Sequence, residues 1–225
     1  MESIILAGGL GTRLRDFVSD LPKPMAPIRG KPFLEILLEN FVKKGVHQVV
    51  LAVGYKASVI INYFGSKFNG IDIIYSVESA PLGTGGALRA ALSMCSEEYI
   101  YVANGDTFLD FDVTITEKVL TDLRGSTVFT TAVDDASRYG RLEVKEGRII
   151  GFAEKGISGA GKINAGHYLL RKNCLRNFEA FGSFSFEKEF LTPEADAGRL
   201  YEFNVDGKFI DIGVPEDYVR AQDLF

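Results

Sequence analysis

The feature that most constrains this chain is a glycine-rich turn that follows a short apolar strand. Residues 4–14 read Ile-Ile-Leu-Ala-Gly-Gly-Leu-Gly-Thr-Arg-Leu. Glycines let the main chain approach a ligand closely, and successive backbone N–H groups in such a turn form a concavity that binds anions. Arg13 adds a planar fork of donors that matches phosphate oxygens. The stretch therefore favours a phosphate-binding loop over a turn whose glycines serve packing alone.

Two common phosphate loops do not fit this sequence. The Walker loop requires Ser or Thr after Gly-Lys, but the Gly-Lys pairs of this chain are followed by Pro32, Ile163 and Phe209. The dinucleotide fingerprint requires a small residue three positions after Gly-x-Gly, and Leu14 occupies that position. A dinucleotide-dependent oxidoreductase is therefore only a weak alternative.

Apolar strand patterns alternate with helical patterns in the first half of the chain. Strands are predicted at residues 48–53, 72–76 and 99–104, and helices at 32–45, 57–64 and 87–94. This alternation predicts an α/β fold with a Rossmann-like, mostly parallel central sheet and helices on both faces.

The pattern changes after residue 126. A strand at 127–133 precedes a predicted hairpin, in which strands 141–144 and 148–152 flank a turn at 145–147. Another strand is expected to begin at Asn164, and a helix at Pro215. We expect this small β-rich portion to return to the main sheet.

Composition excludes several classes of partner. The 225 residues suit one domain with a substantial core. A net charge of −5 provides no electrostatic footprint for nucleic acid. The sequence shows neither a signal peptide nor an apolar run long enough to span a membrane. The two cysteines lack the spacing of a metal or redox motif. We therefore expect a cytoplasmic protein that binds neither nucleic acid nor membrane.

A second motif, Leu-Pro-Lys-Pro-Met-Ala-Pro-Ile at residues 21–28, allows a more specific interpretation of the glycine turn. Together with residues 6–14 it resembles the signature of the sugar-1-phosphate nucleotidyltransferases. Further matches cover nearly the whole chain, at residues 82–87, 104–107, 137–140, 152–155, 164–166 and 211–218.

Within that family, the chain is most similar to the short bacterial guanylyltransferases that act on D-glycero-α-D-manno-heptose 1-phosphate. Two positions depart from the common family pattern, because Phe209 and Val214 stand where many relatives have tryptophan and threonine. Both flank Asp211 without replacing it. The closer resemblance rests on residues 23–28, 53–56, 62–65 and 184–188.

The resemblance implies the fold, the reaction and the site. A single GT-A-like nucleotidyltransferase domain, residues 1–225, would comprise a nucleotide-binding half at about 1–110 and a sugar-phosphate-binding half at about 111–225. The enzyme would transfer a nucleoside monophosphate from a nucleoside triphosphate, with GTP favoured, to a sugar 1-phosphate. The product would be a nucleotide sugar, by closest resemblance a GDP-heptose used for surface polysaccharide.

Residue roles follow from the same resemblance. Arg13 and Lys23 would be catalytic, and Asp106 and Asp211 would hold Mg²⁺. The sugar phosphate would be bound by Gly140, Glu154, Lys155 and Asn164. The nucleotide would be bound by Leu6, Ala7, Gly8, Gly9, Gly11, Thr12, Arg13, Lys23, Glu78, Gly83, Thr84 and Asp106.

Three of these residues also have an argument from their own chemistry. Prolines on both sides hold Lys23 in an extended frame, which presents its amine rather than placing it in a helix. Asp106 follows a predicted strand, where ligands of open α/β sheets bind. Glu78 accepts hydrogen bonds when it is ionised, and guanine offers N–H donors at N1 and N2. A solvated loop glutamate remains an equally good interpretation of Glu78.

Several alternatives stay open at the level of sequence. The same chemistry would serve another pair, such as mannose 1-phosphate with GTP, glucose 1-phosphate with CTP or dTTP, or N-acetylmuramate 1-phosphate with UTP. A non-catalytic nucleotide-sugar sensor would keep the same fold, although the two aspartates, Arg13 and Lys23 argue against it. The sequence does not determine the sugar or whether the chain forms a homo-oligomer.

Overall fold

The computed structural model describes residues 1–9, 20–112, 125–153, 156, 158–180 and 182–225. In the first half, a 3₁₀ turn covers Lys23–Met25, and the other elements are β1 Glu2–Leu6, β2 Pro27–Ile28, β3 Lys31–Pro32, α1 Phe33–Lys43, β4 Gln48–Val53, α2 Ala57–Phe64, β5 Lys67–Phe68, β6 Ile71–Val77, α3 Gly83–Leu92, β7 Tyr99–Asn104 and β8 Thr107–Leu109.

The second half contains more strand than helix. Its elements are β9 Ser126–Val133, β10 Leu142–Lys145, β11 Arg148–Phe152, β12 Gly161–Arg171, a π-helical turn at Glu187–Leu191, α4 Thr192–Asp196, β13 Leu200–Asn204, β14 Phe209–Asp211 and α5 Pro215–Leu224. Among the described residues, no helix combines the length and apolar character needed to cross a bilayer.

A ten-stranded sheet, in the order β10-β11-β13-β9-β12-β7-β1-β4-β6-β5, runs through both halves. Its centre, β7-β1-β4-β6, is parallel throughout. The predicted hairpin is formed by β10 and β11, which pair antiparallel at one edge. The β-rich portion thus joins the main sheet directly, since β12 pairs with β7. The predicted parallel core is confirmed, with antiparallel strands added on both sides.

Helices cover both faces of the sheet, as predicted. Adjacent strand residues point to opposite faces, so Ile5 joins one apolar core and Ile4 joins the other. The first core includes side chains of α1, α2 and α5, and the second includes side chains of α3 and α4. The central strands are apolar on both faces because helices bury each face.

Two predicted boundaries differ in the structure. Helix α3 begins at Gly83 rather than at Ala87, and β12 begins at Gly161 rather than at Asn164. Glycine is a poor helix former, but here the backbone carbonyl of Phe184 accepts from the N–H of Gly85 at 3.0 Å. This tertiary contact stabilises a helical turn that propensity alone does not indicate.

A separate two-stranded ribbon, β8 with β14, lies beside the sheet. Its antiparallel register sets Asp211 opposite Thr107, and the N–H of Ile212 donates to the carbonyl oxygen of Asp106 at 2.9 Å. The ribbon therefore brings residues from the two halves of the chain side by side.

The ribbon is fastened to α1 by a buried lysine. Lys44 is 3% exposed, and its Nζ donates to the carbonyl oxygen of Leu109 at 2.9 Å and to the side chain of Asn40. The same amine lies 3.7 Å from the ring centroid of Phe111. Burial lowers the pKa of Lys44 to about 7, against an opposing effect of Asp110.

We expect Lys44 to make stability depend on pH. Below about pH 7 the amine is protonated in both the folded and the unfolded chain. At higher pH, up to the ordinary lysine value of 10.5, the folded state binds fewer protons, so the free energy of unfolding rises with pH. Lys44→Met removes this contribution. The wild type should gain stability relative to Lys44→Met between about pH 6 and about pH 9 in urea unfolding.

The matched control is Lys43→Met, because Lys43 is the exposed neighbour of Lys44 and ends α1. Its difference from the wild type should stay constant over the same pH range. An equally constant difference for Lys44→Met would contradict the depressed pKa.

Candidate active site

The glycine turn opens into a cavity at the carboxyl ends of the parallel strands. The cavity has a volume of about 510 Å³, and Leu6, Ala7, Gly8 and Gly9 form part of its wall. Backbone bonds fix the end of β1 on both sides: the N–H of Ala7 donates to Ala52 at 2.8 Å, and the carbonyl of Leu6 accepts from Gly105 at 2.9 Å. Open α/β sheets bind their ligands at this edge.

Close backbone packing explains why two of these positions are glycine. A Cβ on Gly8 would lie 2.9 Å from Oε1 of Glu78 and 3.3 Å from the nitrogen of Gly54. A Cβ on Gly105 would lie 2.8 Å from the carbonyl oxygen of Leu6. A larger residue at either position would have to displace these neighbours, so the two glycines help to set the shape of the cavity wall.

Glu78 lines the cavity, and its role in reading a base stays a prediction. Its backbone N–H donates to Val53 at 2.9 Å, and its Oε2 accepts from the N–H of Leu82 at 3.2 Å. The carboxylate therefore bridges the end of β6 and the start of α3. One of its oxygens remains directed towards Gly8 on the turn side.

Gly83 and Thr84, which the resemblance predicts to bind the nucleotide, also make close contacts within the protein. A Cβ on Gly83 would lie 2.5 Å from the carbonyl oxygen of Phe184, and Gly85 faces the Phe184 ring. The hydroxyl of Thr84 accepts from the N–H of Phe186 at 3.0 Å. These residues pack against the segment at 184–186, although Gly83 and Thr84 still border the cavity.

Lys23 is presented to the cavity by the 3₁₀ turn, and its ammonium Nζ lies 2.5 Å from Oδ2 of Asp106. The side chains of Lys23 and Asp106 are 15% and 32% exposed, so the pair is only partly shielded from solvent. The prediction of an extended frame is wrong at Lys23, because Lys23–Met25 form a 3₁₀ turn in which Pro24 is buried, and the extended geometry lies at Pro22 before it.

Asp106 and Asp211 converge at this point, although 105 positions separate their numbers in the sequence. Burial, and after it the charge of Asp106, raise the pKa of Asp211 to about 6, and the charge of Lys23 opposes the rise. Oδ1 of Asp211 accepts from the N–H of Gly213 at 2.6 Å. A divalent cation would relieve the repulsion between the two carboxylates, and paired carboxylates are the ligand set that Mg²⁺ takes together with phosphate oxygens.

The described residues contain no cluster of three or more acidic, histidine or cysteine side chains suited to a metal ion. The two aspartates therefore suit a cation that shares its remaining positions with substrate and water, rather than a closed structural site. The residues present fit the predicted magnesium in chemistry and placement.

Asn164 is brought to the same region by an irregularity in β12. The register of β12 against β9 shifts between Asn164 and His167, and Gly166 has a positive φ of 73°. A Cβ on Gly166 would lie 2.6 Å from Oγ1 of Thr107, so this glycine allows β12 to approach β8. Protein atoms therefore fill the space on the Cβ side of Gly166.

The side chains of the sugar half are partly engaged already. Asn164 accepts from the N–H of Gly166 at 2.9 Å and donates to the hydroxyl of Tyr168 at 3.0 Å. The N–H of Gly140, expected to donate to a sugar hydroxyl, donates to the carbonyl of Ala136 at 3.1 Å. A hydroxyl would have to share or displace that bond.

Several predicted residues lie outside the described part of the chain. They are Gly11, Thr12 and Arg13 of the glycine turn, and Glu154 and Lys155 of the sugar half. Their roles remain predictions.

Sequence reasoning missed other wall residues. Gly54 and Tyr55 lie between β4 and α2, Asn104 and Gly105 precede Asp106, and Ser79 to Pro81 follow Glu78. Asn104 and Gly105 carried a detectable signal, since they end and directly follow a predicted strand. Tyr55 lies in the stretch 53–56 on which the closer resemblance rests, but it received no role, because an aromatic residue at a strand–helix junction is equally suited to packing.

Comparison with known proteins decides the family. The model of the nucleotidyl transferase family matches residues 2–225. The chain belongs to this family. The membership predicted from the two motifs is confirmed, and the oxidoreductase alternative loses its support.

Individual relatives match over their whole length. A D-glycero-α-D-manno-heptose 1-phosphate guanylyltransferase of Aneurinibacillus thermoaerophilus is 43% identical over 99% of this chain and 97% of its own. A protein of the same name from Campylobacter jejuni is 46% identical over 97% of each chain. The crystal structure of HddC from Yersinia pseudotuberculosis complexed with GMP-PN is 38% identical, covers 100% of this chain and 99% of its own, and has a TM-score of 0.88.

The contact between α3 and Phe184 yields a testable expectation for this nucleotidyltransferase. Gly85→Ala places a methyl group against the Phe184 ring, and overpacking of this kind costs about 1–3 kcal/mol of unfolding free energy. In Phe184→Ala the ring is absent, so adding Gly85→Ala should cost little more. Urea unfolding of both single variants and the double variant measures this coupling.

Nucleotide affinity of Gly85→Ala is a second readout, and it distinguishes a role of Gly85 in packing from a contact with the base. If Gly85→Ala leaves stability unchanged and abolishes nucleotide binding, the residue contacts the base and the packing account is wrong.

Proposed function

We propose that this nucleotidyltransferase transfers GMP from GTP to D-glycero-α-D-manno-heptose 1-phosphate, which yields a GDP-heptose and pyrophosphate. The choice of substrates rests on the nearly full-length similarity to two guanylyltransferases of that name. The GMP-PN complex of a structural neighbour supports a guanine nucleotide. Glu78 in the cavity wall offers guanine an acceptor for its N1 and N2 hydrogens.

The chemistry requires charge neutralisation more than proton transfer. An oxygen of the sugar phosphate attacks the α-phosphorus in line, a new P–O bond forms, and the bond to the β-phosphate oxygen breaks to release pyrophosphate. The attacking oxygen is already anionic, so a strong general base is not required. Positioning and electrostatic stabilisation therefore provide most of the catalysis, as in other phosphoryl transfers.

The described residues supply these effects at one point of the cavity. Lys23 would stabilise the charge that develops at the α-phosphate, since its ammonium lies in the cavity wall beside Asp106. Mg²⁺ bound by Asp106 and Asp211 would supply charge neutralisation between the two phosphate groups. Arg13 would hold the triphosphate, and Lys155 the sugar phosphate, as the resemblance implies.

We place the enzyme in the cytoplasm, in the biosynthesis of a nucleotide sugar for surface polysaccharide. This proposal rests on the resemblance and on the availability of both phosphorylated substrates within the cell. The reaction itself does not require a homo-oligomer.

Lys23→Ala should lower turnover about a hundred-fold, because one preorganised electrostatic contact with the reacting phosphate is lost. The control is Lys31→Ala, since Lys31 pairs at the surface with Glu39 at 2.7 Å. Initial rates of pyrophosphate release measure both variants. Near-normal turnover of a folded Lys23→Ala enzyme would remove Lys23 from the mechanism.

The substrates are tested by pyrophosphate release with Mg²⁺ from GTP, ATP, CTP, UTP and dTTP, each combined with the heptose, mannose and glucose 1-phosphates. GTP with the heptose phosphate should give the highest kcat/KM. Turnover with another pair would keep the class of reaction and overturn the proposed substrates.

Glu78→Gln should weaken the preference for GTP, and an unchanged preference would exclude Glu78 as the residue that reads the base.

A further inference from the structure

Outside the cavity, the acid Asp217 lies buried in the first turn of α5. Its side chain is 3% exposed, and its oxygens lie 2.9 Å from Nη2 of Arg138 and 3.2 Å from Nη2 of Arg220. The hydroxyl of Tyr139 donates to Oδ2 at 3.1 Å. The carboxylate is thus directed towards partners both on α5 and outside it.

One of these partners already neutralises Asp217 from its own helix. Arg220 stands three positions later on α5, and a single arginine suffices to compensate one carboxylate. Arg138 and Tyr139 come from a different part of the chain, in the loop that leads to Gly140. Their contacts therefore add a connection between α5 and that loop beyond what charge compensation requires.

This loop, residues 136–140, supports both sides of the predicted sugar-phosphate site. The N–H groups of Tyr139 and Gly140 donate to the carbonyl of Ala136, at 3.0 and 3.1 Å. The carbonyl of Ser137 accepts from the N–H of Gly156, the residue after Lys155, at 2.7 Å. Movement of the loop would displace Gly140 and the backbone next to Lys155 together.

The loop also touches the ribbon that carries Asp211. The rings of Tyr139 and Phe209 pack edge to face with centroids 5.8 Å apart. Burial raises the pKa of Tyr139, and the charges of Asp217 and Asp211 add to the rise. Tyr139 therefore lies between α5, where it contacts Asp217, and β14, the strand that carries Asp211.

We propose that Asp217 is a positioning residue that fixes the loop at 136–140 relative to Asp211, and so aligns the sugar phosphate with the metal site. The proposal rests on the proposed function for its kinetic consequences. Asp217 contacts the loop through Arg138 and Tyr139 and reaches the substrate only through it. Its loss should therefore affect the sugar phosphate much more than the nucleotide.

The principal test is Asp217→Asn with Asp223→Asn as the matched control, because Asp223 is exposed on the same helix. In Asp217→Asn we expect the KM for the sugar 1-phosphate to rise about ten-fold, the size associated with losing a hydrogen bond to a charged group. The KM for GTP should change less than about two-fold. Asp223→Asn should leave both unchanged.

Two further variants separate positioning from stability. Tyr139→Phe removes only the loop hydroxyl and should reproduce part of the rise in sugar-phosphate KM, even where Asp217→Asn does not fold. Arg220→Gln removes a partner on α5 and leaves the loop contacts in place, so it should lower the unfolding midpoint without changing either KM. Equal kinetic effects of Tyr139→Phe and Arg220→Gln would overturn the proposal.

Hydrogen exchange provides a readout that does not depend on turnover. Amides of residues 136–140 should exchange faster in Asp217→Asn and Tyr139→Phe than in the wild type, and at the wild-type rate in Asp223→Asn. Unchanged exchange with unchanged KM values would overturn the proposal. If the wild type releases no pyrophosphate with any sugar, the proposed function fails, and the exchange result still decides whether Asp217 holds the loop.

Discussion

The antiparallel pairing of β8 with β14 is the contact on which the site depends. It joins two segments from opposite halves of the chain and sets Asp106 beside Asp211, where the charge of Asp106 makes ionisation of Asp211 more costly. Lys23 offsets part of that cost, and the proposed Mg²⁺ would offset more. The ribbon that carries Asp211 is held on one side by Lys44 and on the other by α5.

A continuous sheet explains how one domain handles two polyanionic substrates. The parallel centre ends in the glycine turn and the cavity, and β12 connects this centre to the antiparallel strands that carry the sugar half. The bulge at Gly166 lets β12 approach Thr107 directly. The two halves therefore share strands and backbone contacts at the point where the two phosphate groups would meet.

Local sequence patterns predicted the features that depend on local physics. Periodic apolar positions identified the central strands and α1. The prolines around Lys23 indicated that it is presented, and it does line the cavity, but from a 3₁₀ turn rather than from an extended segment. The pairing of Asp106 with Asp211 depends on a long-range register, so only resemblance to a family could suggest it. The contact of Gly85 with Phe184 and the bulge at Gly166 were missed because they arise from tertiary packing between segments that are distant in sequence.

The central claim, that Asp106 and Asp211 bind one divalent cation together with the nucleotide, is tested most directly by manganese binding. Electron paramagnetic resonance would measure Mn²⁺ bound to the enzyme with a non-hydrolysable GTP analogue, in the wild type and in Asp211→Asn. We expect one ion bound to the wild type and an affinity at least about ten-fold weaker in Asp211→Asn, because one of two carboxylate ligands is lost. Equal affinity in the folded variant would contradict a site shared by the two aspartates.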